Sequence, residues 1–185
     1  MGEEMGETAF PAEGRSASDL EQALAELREG DADWRGGRTF SLVYNSGDDE
    51  LEEFLEGVAL LFIHENALNP FAFPSLQTME AEVVAMAADL LGAPPRAGSL
   101  SSGGTESIFL AVHTAREEAA DRGVDRPQLV TAETAHPAFA KAAHYLGVEH
   151  LRIPVRADLR ADPEAMAAAV TDQTALVVGS APCYP

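Results

Sequence analysis

The chain has 185 residues, of which 46% are hydrophobic and 23% charged, and its formal net charge is −19. This composition is that of a globular protein, and the charge argues against binding to nucleic acid or to anionic membranes, which both require clustered Lys and Arg. The single cysteine, Cys183, excludes an internal disulfide, and without a signal peptide or a long apolar run we expect a cytoplasmic protein with no membrane span.

The N-terminal half is predicted to be helical. Residues 1–15 are acidic and are expected to form a mobile arm. Apolar residues then recur at helical spacing in three segments, which predicts an N-terminal helical segment over residues 16–92. The predicted helices are 16–30, 48–68 and one that Ser75 caps and Gly92 ends, with 39–44 as a short extended piece.

The C-terminal half is predicted to alternate between helix and strand, which indicates an α/β domain with a parallel sheet over residues 93–185. The chain ends just after the last predicted strand, so we expect this domain to be incomplete at its C-terminus. The predicted order is helix 105–122, strand 127–132, helix 137–146, strand 149–155, helix 162–170 and strand 174–181.

The segment SSGGTES, residues 101–107, lies at the start of the fourth predicted helix. It is not a P-loop, which requires a lysine, and it matches neither G-x-G-x-x-G nor G-x-S-x-G. Two hypotheses remain open. One is a phosphate cup at residues 102–105, where unpaired helix N–H groups and hydroxyls bind an oxyanion. The other is an ordinary helix start that Thr105 caps.

His136 is the second candidate, because it lies in the turn after a predicted parallel strand, where α/β sheets bind ligands. A histidine there is often structural, but a ring held by Pro137 could also stack on an aromatic ligand. A metal site of His136, His144 and Glu133 is a weaker alternative, because no further ligand lies at metal spacing.

Four segments together resemble the pyridoxal-phosphate-dependent group II decarboxylase family, and most of all its sphingosine-1-phosphate lyase branch and bacterial relatives. They are FPSLQTMEAEVV, SSGGTES, TAHPAFAKAAHYLG and LRADPEAMAAAVTDQTALVVGSAPCYP. The resemblance implies an N-terminal helical segment plus the first part of a fold-type I aminotransferase-like large domain. It also implies pyridoxal 5'-phosphate as cofactor and carbon–carbon lyase activity on a small amine or amino acid. The full-length protein would be a homodimer.

The resemblance also assigns roles to individual residues. Ser102, Gly103, Gly104 and Thr105 match the segment that binds the cofactor phosphate, and His136 matches the histidine that stacks on the pyridine ring. Tyr184 and, less closely, Tyr44 match active-site tyrosines.

Two departures from the family pattern bear on activity. Asn69 stands where the lyases have an active-site histidine, which favours another amine substrate and decarboxylation over aldol cleavage. The family's Schiff-base lysine and pyridine-pairing aspartate have no match here, and the one lysine, Lys141, lies in the helix after His136. We therefore expect this chain alone to be inactive; the alternative is a non-catalytic phosphate- or partner-binding module.

Overall fold

The computed structural model describes residues 12–40, 42–69, 71–94 and 98–183, which contain six helices and a three-stranded sheet. The chain divides into two compact units, residues 1–66 and 67–185. This division falls after the second helix, whereas the boundary predicted from the sequence falls after the third. Within the described residues, no helix is both long enough and apolar enough to cross a bilayer.

The first unit contains two helices, α1 (Ala17–Arg28) and α2 (Asp49–Leu61). Ser16 caps α1 by accepting a hydrogen bond from the Asp19 N–H at 3.1 Å. Helix α2 was predicted to reach residue 68, but Phe62 leaves the helical conformation and later N–H groups bond three residues back. The described residues of 39–44 contain no strand, so that prediction was wrong.

The second unit opens with α3 (Pro74–Leu91), which Gly92 ends in the left-handed conformation. Ser75 was predicted to cap this helix and does not. The helix already begins at Pro74, whose fixed φ suits the first turn and which has no N–H group to satisfy.

A parallel sheet follows, in which β1 (Gln128–Ala132) lies between β2 (Glu149–Ile153) and β3 (Thr174–Val178), so the predicted α/β architecture is confirmed. Because β1 is the central strand, residues that follow it lie at the middle of the sheet's carboxyl edge. The elements are α4 (Gly104–Asp121), β1 (Gln128–Ala132), α5 (Ala138–Leu146), β2 (Glu149–Ile153), α6 (Pro163–Ala169) and β3 (Thr174–Val178).

The core of this unit lies between the sheet and helices α4 and α5, where Val112, Leu129 and Ala142 are buried. Helix α6 packs against β1 and β2 through the buried Met166. Successive residues of β1 alternate between the two faces of the sheet, and all but the first are buried. The central strand is therefore covered on both faces, as expected for a parallel sheet.

Candidate functional site

Helices α4 and α5 both begin at the carboxyl edge of the sheet. A short link, residues 122–127, joins the end of α4 to the start of β1, so α4 runs antiparallel to the strand. Phe109, in the second turn of α4, contacts Tyr145, in the last turn of α5, edge to face with ring centroids 5.7 Å apart. Because α5 connects the parallel strands β1 and β2, it also runs antiparallel to the strands. The two helices therefore run in the same direction, and the start of α4 lies at the same edge as the β1–α5 turn.

The start of α4 differs from an ordinary capped helix. Gly103 is the N-cap residue, its φ of 154° lies in a region that favours glycine, and no side chain caps the helix. Thr105 is the second helical residue, so it does not act as the N-cap. The hypothesis of an ordinary start that Thr105 caps is therefore wrong.

The first turn of α4 presents unused hydrogen-bond donors. In the described structure the N–H groups of Gly104, Thr105 and Glu106 have no partner, and the Thr105 hydroxyl is exposed and unpaired. A Cβ atom added to Gly103 or Gly104 would meet nothing within 4 Å. The backbone is thus open to an approaching group, and the partial positive charge of the helix start favours an anion.

Glu106 organises the turn before the helix and was missed in the sequence. Its carboxylate accepts a hydrogen bond from the Ser102 N–H at 2.6 Å. This bond, and to a lesser extent the nearby Ser102 side chain, hold the pKa of Glu106 below its ordinary value. The acid at the third helical position is the capping-box signal that could have revealed it. Ser102 is therefore engaged by Glu106, and that negative charge opposes an anion bound nearby.

His136 lies in the turn after β1 and is exposed. Its ring is held in place, because Nδ1 accepts a hydrogen bond from the Ala138 N–H at 3.1 Å. The carbonyl of His136 in turn accepts from the Phe139 N–H at 3.0 Å. An imidazole fixed at Nδ1 and open to solvent can present one face to a flat ligand.

The remaining residues that the sequence analysis singled out are two tyrosines, Asn69 and Lys141. Tyr44 lies in the first unit, between α1 and α2, and is 92% exposed. Tyr184 lies outside the described residues. The Asn69 side-chain oxygen accepts from the Phe71 N–H at 3.0 Å and so holds a turn. Lys141 is exposed on α5, with Nζ 5.7 Å from the centroid of the Tyr145 ring.

The structure offers no support for the metal hypothesis. Among the described residues, no group of three or more His, Cys, Asp or Glu side chains could hold a metal ion. Glu133, one of its three residues, uses Oε1 to accept a hydrogen bond from the Val155 N–H at 3.0 Å.

The chain is similar to sphingosine-1-phosphate lyases. Sphingosine-1-phosphate lyase 1 of Mus musculus is 38% identical over 177 residues, which are 95% of this chain and 31% of the mouse protein. The structure of the Burkholderia pseudomallei sphingosine-1-phosphate lyase matches with a TM-score of 0.85 and 38% identity, over 96% of this chain and 43% of that one. No family model matches the chain.

A more distant structure shows the same fold. Oryza sativa TDC, solved with PLP and tryptamine, matches with a TM-score of 0.65 and 17% identity, over 88% of this chain and 39% of that one. Such a low identity shows the fold alone. The resemblance to the lyase branch is confirmed, the chain spans about a third of the length of the curated relatives it matches, and nothing supports the non-catalytic module.

Proposed function

We propose that this chain supplies the phosphate cup and the ring-stacking histidine of a PLP-dependent carbon–carbon lyase that acts on an amine or amino acid. The chain spans about a third of its curated relatives. We therefore expect the Schiff-base lysine and the aspartate that pairs with the pyridine nitrogen to come from polypeptide outside these residues. We also expect the complete enzyme to be a cytoplasmic homodimer.

The donors at the start of α4 fit the cofactor phosphate. Three backbone N–H groups and the Thr105 hydroxyl can donate to its oxygens, and the helix dipole favours its negative charge without a basic side chain. The exposed ring of His136, fixed at Nδ1, suits stacking on the pyridine. The bound cofactor would serve as the electron sink for the bond that breaks at the substrate carbon.

One observation carries this proposal most directly, namely the glycine at position 104. Gly103 is needed for its backbone conformation, but Gly104 has no positive φ, and a side chain there would touch nothing. Glycine at the start of a helix has a conformational cost, and neither the backbone conformation nor crowding requires it at position 104. Close approach of an anion to the backbone supplies a reason.

The same position gives the test. We expect Gly104→Ala to leave the stability of the chain unchanged or slightly higher, because the methyl group meets open space. It should weaken binding of pyridoxamine 5'-phosphate about ten- to a hundredfold, since charge-assisted hydrogen bonds contribute about 1.5–3 kcal/mol. Titration calorimetry measures the affinity, and this ligand has no aldehyde that could react with Lys141.

Two controls make the result specific. Gly57→Ala, within α2 and also in open space, should leave the affinity unchanged. Pyridoxamine without the phosphate should bind the wild type and Gly104→Ala equally. Equal affinity of these two proteins for the phosphorylated ligand would contradict the phosphate cup.

The turn at Asn69 supports decarboxylation over aldol cleavage. An amide cannot take up a proton near neutral pH, and the Asn69 oxygen already accepts from the Phe71 N–H. Aldol cleavage requires a general base near the substrate hydroxyl, which contributes about 10²–10⁴-fold. Carbon dioxide release from amino acids should therefore exceed aldehyde release from phosphorylated amino alcohols in an enzyme carrying this segment. Aldehyde release alone would contradict this choice.

A further inference from the structure

The turn that carries His136 is tied to the end of β2 by Glu133. The Glu133 N–H donates to the Ile153 carbonyl at 2.8 Å, and the Glu133 carbonyl accepts from Nη2 of Arg152 at 2.9 Å. Its carboxylate accepts from the Val155 N–H at 3.0 Å. Both backbone polar groups of Glu133 are thus bonded to β2, and one side-chain oxygen is bonded to Val155, two residues beyond the end of that strand.

The turn that carries His136 contains a buried hydroxyl group that destabilises it. The Thr134 hydroxyl is covered by protein and has no hydrogen-bond partner among the described residues. A buried polar group without a partner is destabilising, so interactions elsewhere must hold this conformation. The bond between the Ala135 N–H and the Ala132 carbonyl closes the turn, and the bonds of Glu133 to β2 anchor it.

Arg152 makes an unusual choice of partner. The chain has 31 acidic and 12 basic residues, so an arginine readily finds a carboxylate. Arg156, a few residues further along, pairs with Asp162 at 3.1 Å and Glu164 at 2.9 Å. Arg152 forms no ion pair in the described structure and instead donates to the backbone of the His136 turn.

We propose that Arg152 and Glu133 are positioning residues for His136, a role that rests on the proposed function. They clamp the start of the β1–α5 turn to β2, and α5 fixes the imidazole through the Ala138 N–H. The ring face is then set before any ligand arrives, and binding does not have to order it. Neither side chain needs to touch the ligand.

The test compares Arg152→Gln with Arg156→Gln in the 185-residue chain. Without ligand, NMR signals of the His136 ring, assigned by their loss in His136→Gln, should shift or broaden in Arg152→Gln and stay unchanged in Arg156→Gln. Binding of pyridoxamine 5'-phosphate should weaken about three- to tenfold in Arg152→Gln alone, the range of an aromatic stacking contact.

A double-mutant cycle separates positioning from a general structural role. In the His136→Gln background, Arg152→Gln should no longer change the affinity, because its effect passes through His136. If Arg152→Gln does not fold, Glu133→Ala and Glu133→Gln replace it. The alanine should disturb the His136 signals, whereas the glutamine keeps an acceptor for the Val155 N–H and should not.

Unchanged His136 signals in both Arg152→Gln and Glu133→Ala would overturn the clamp. So would a loss of affinity that is equal with and without His136. A wild-type chain that fails to bind pyridoxamine 5'-phosphate would count against the proposed function only. The ligand-free NMR comparison would then decide the clamp by itself.

Discussion

The two compact units use their apolar side chains in different ways. Neither α1 nor α2 contains a buried residue, and Leu24, for example, is 60% exposed. In the second unit Val112, Leu129 and Ala142 are almost completely buried between helices and sheet. Both regions show helical periodicity, so the pattern predicts a helix equally well in each. It does not reveal whether the same chain covers the apolar face.

The largest expected effect concerns the core of the second unit. Leu129→Ala should lower the free energy of unfolding by about 2–5 kcal/mol, because it leaves a cavity in a fully packed site. Leu24→Ala on α1 should change it by less than about 0.5 kcal/mol. Urea unfolding followed by far-UV circular dichroism, with the fluorescence of Trp34 as a probe of the first unit, measures both.

Equal losses in the two variants would break the comparison. That result would mean that the apolar stripe of α1 is covered in solution. Only a neutral Leu129→Ala would contradict the assignment of the core to the second unit.

Two glycines sharpen the same contrast at a smaller scale. Gly147 ends α5 with a φ of 68°, so Gly147→Ala should cost about 1–2 kcal/mol, because a Cβ is unfavourable in the left-handed region. Gly57 lies inside α2 with open space around it, so Gly57→Ala should stabilise α2 by about 0.5–1 kcal/mol. Thermal unfolding of both variants checks the opposite signs.

A neutral Gly147→Ala would show that the end of α5 rearranges at little cost. The expected gain at Gly57 depends only on helix propensity, so its absence would mean that α2 is not a stable helix in the isolated chain. Each result thus tests one unit without reference to the other.

The sequence predicts the order of helices and strands in the second unit because each element carries its own local signal. Alternating strands and helices with short turns leave few topologies, and β1, α5, β2, α6 and β3 follow as expected. The errors lie where a local signal has a competitor. Pro74 starts α3 one residue before Ser75, so that Phe73 is the N-cap residue, and Gly103 takes the N-cap position of α4 in place of Thr105.

The candidate site could be predicted only in part. His136 and the SSGGTES segment are contiguous motifs, so sequence alone identifies them. The pairing of Arg152 with the Glu133 carbonyl joins residues that are distant in sequence and depends on the register between β1 and β2. No local pattern specifies that register, and therefore none predicts the clamp.

The smallest expected effect is on the pH dependence of stability, and it again follows from burial in the second unit. His150 on β2 is partly buried, and its Nε2 lies 2.9 Å from the Thr131 hydroxyl oxygen. Burial, and to a lesser extent the charge of Arg152, lowers the pKa of His150. The unfolded chain therefore binds this proton more readily than the folded chain. The free energy of unfolding therefore rises with pH between the lowered pKa of the folded state and the unfolded pKa of about 6.5. It falls as the pH drops below about 6.5.

His150→Gln removes this titration and should flatten the dependence of stability on pH between about pH 7 and pH 5. Because the ring is partly solvated, we expect the difference to stay below about 1 kcal/mol. Arg152→Gln removes only the lesser cause and should keep most of the slope, since burial of the ring is unchanged. Urea unfolding at several pH values measures both slopes. A slope that persists unchanged in His150→Gln would show that another titratable group, and not the His150 imidazole, links stability to pH in this range.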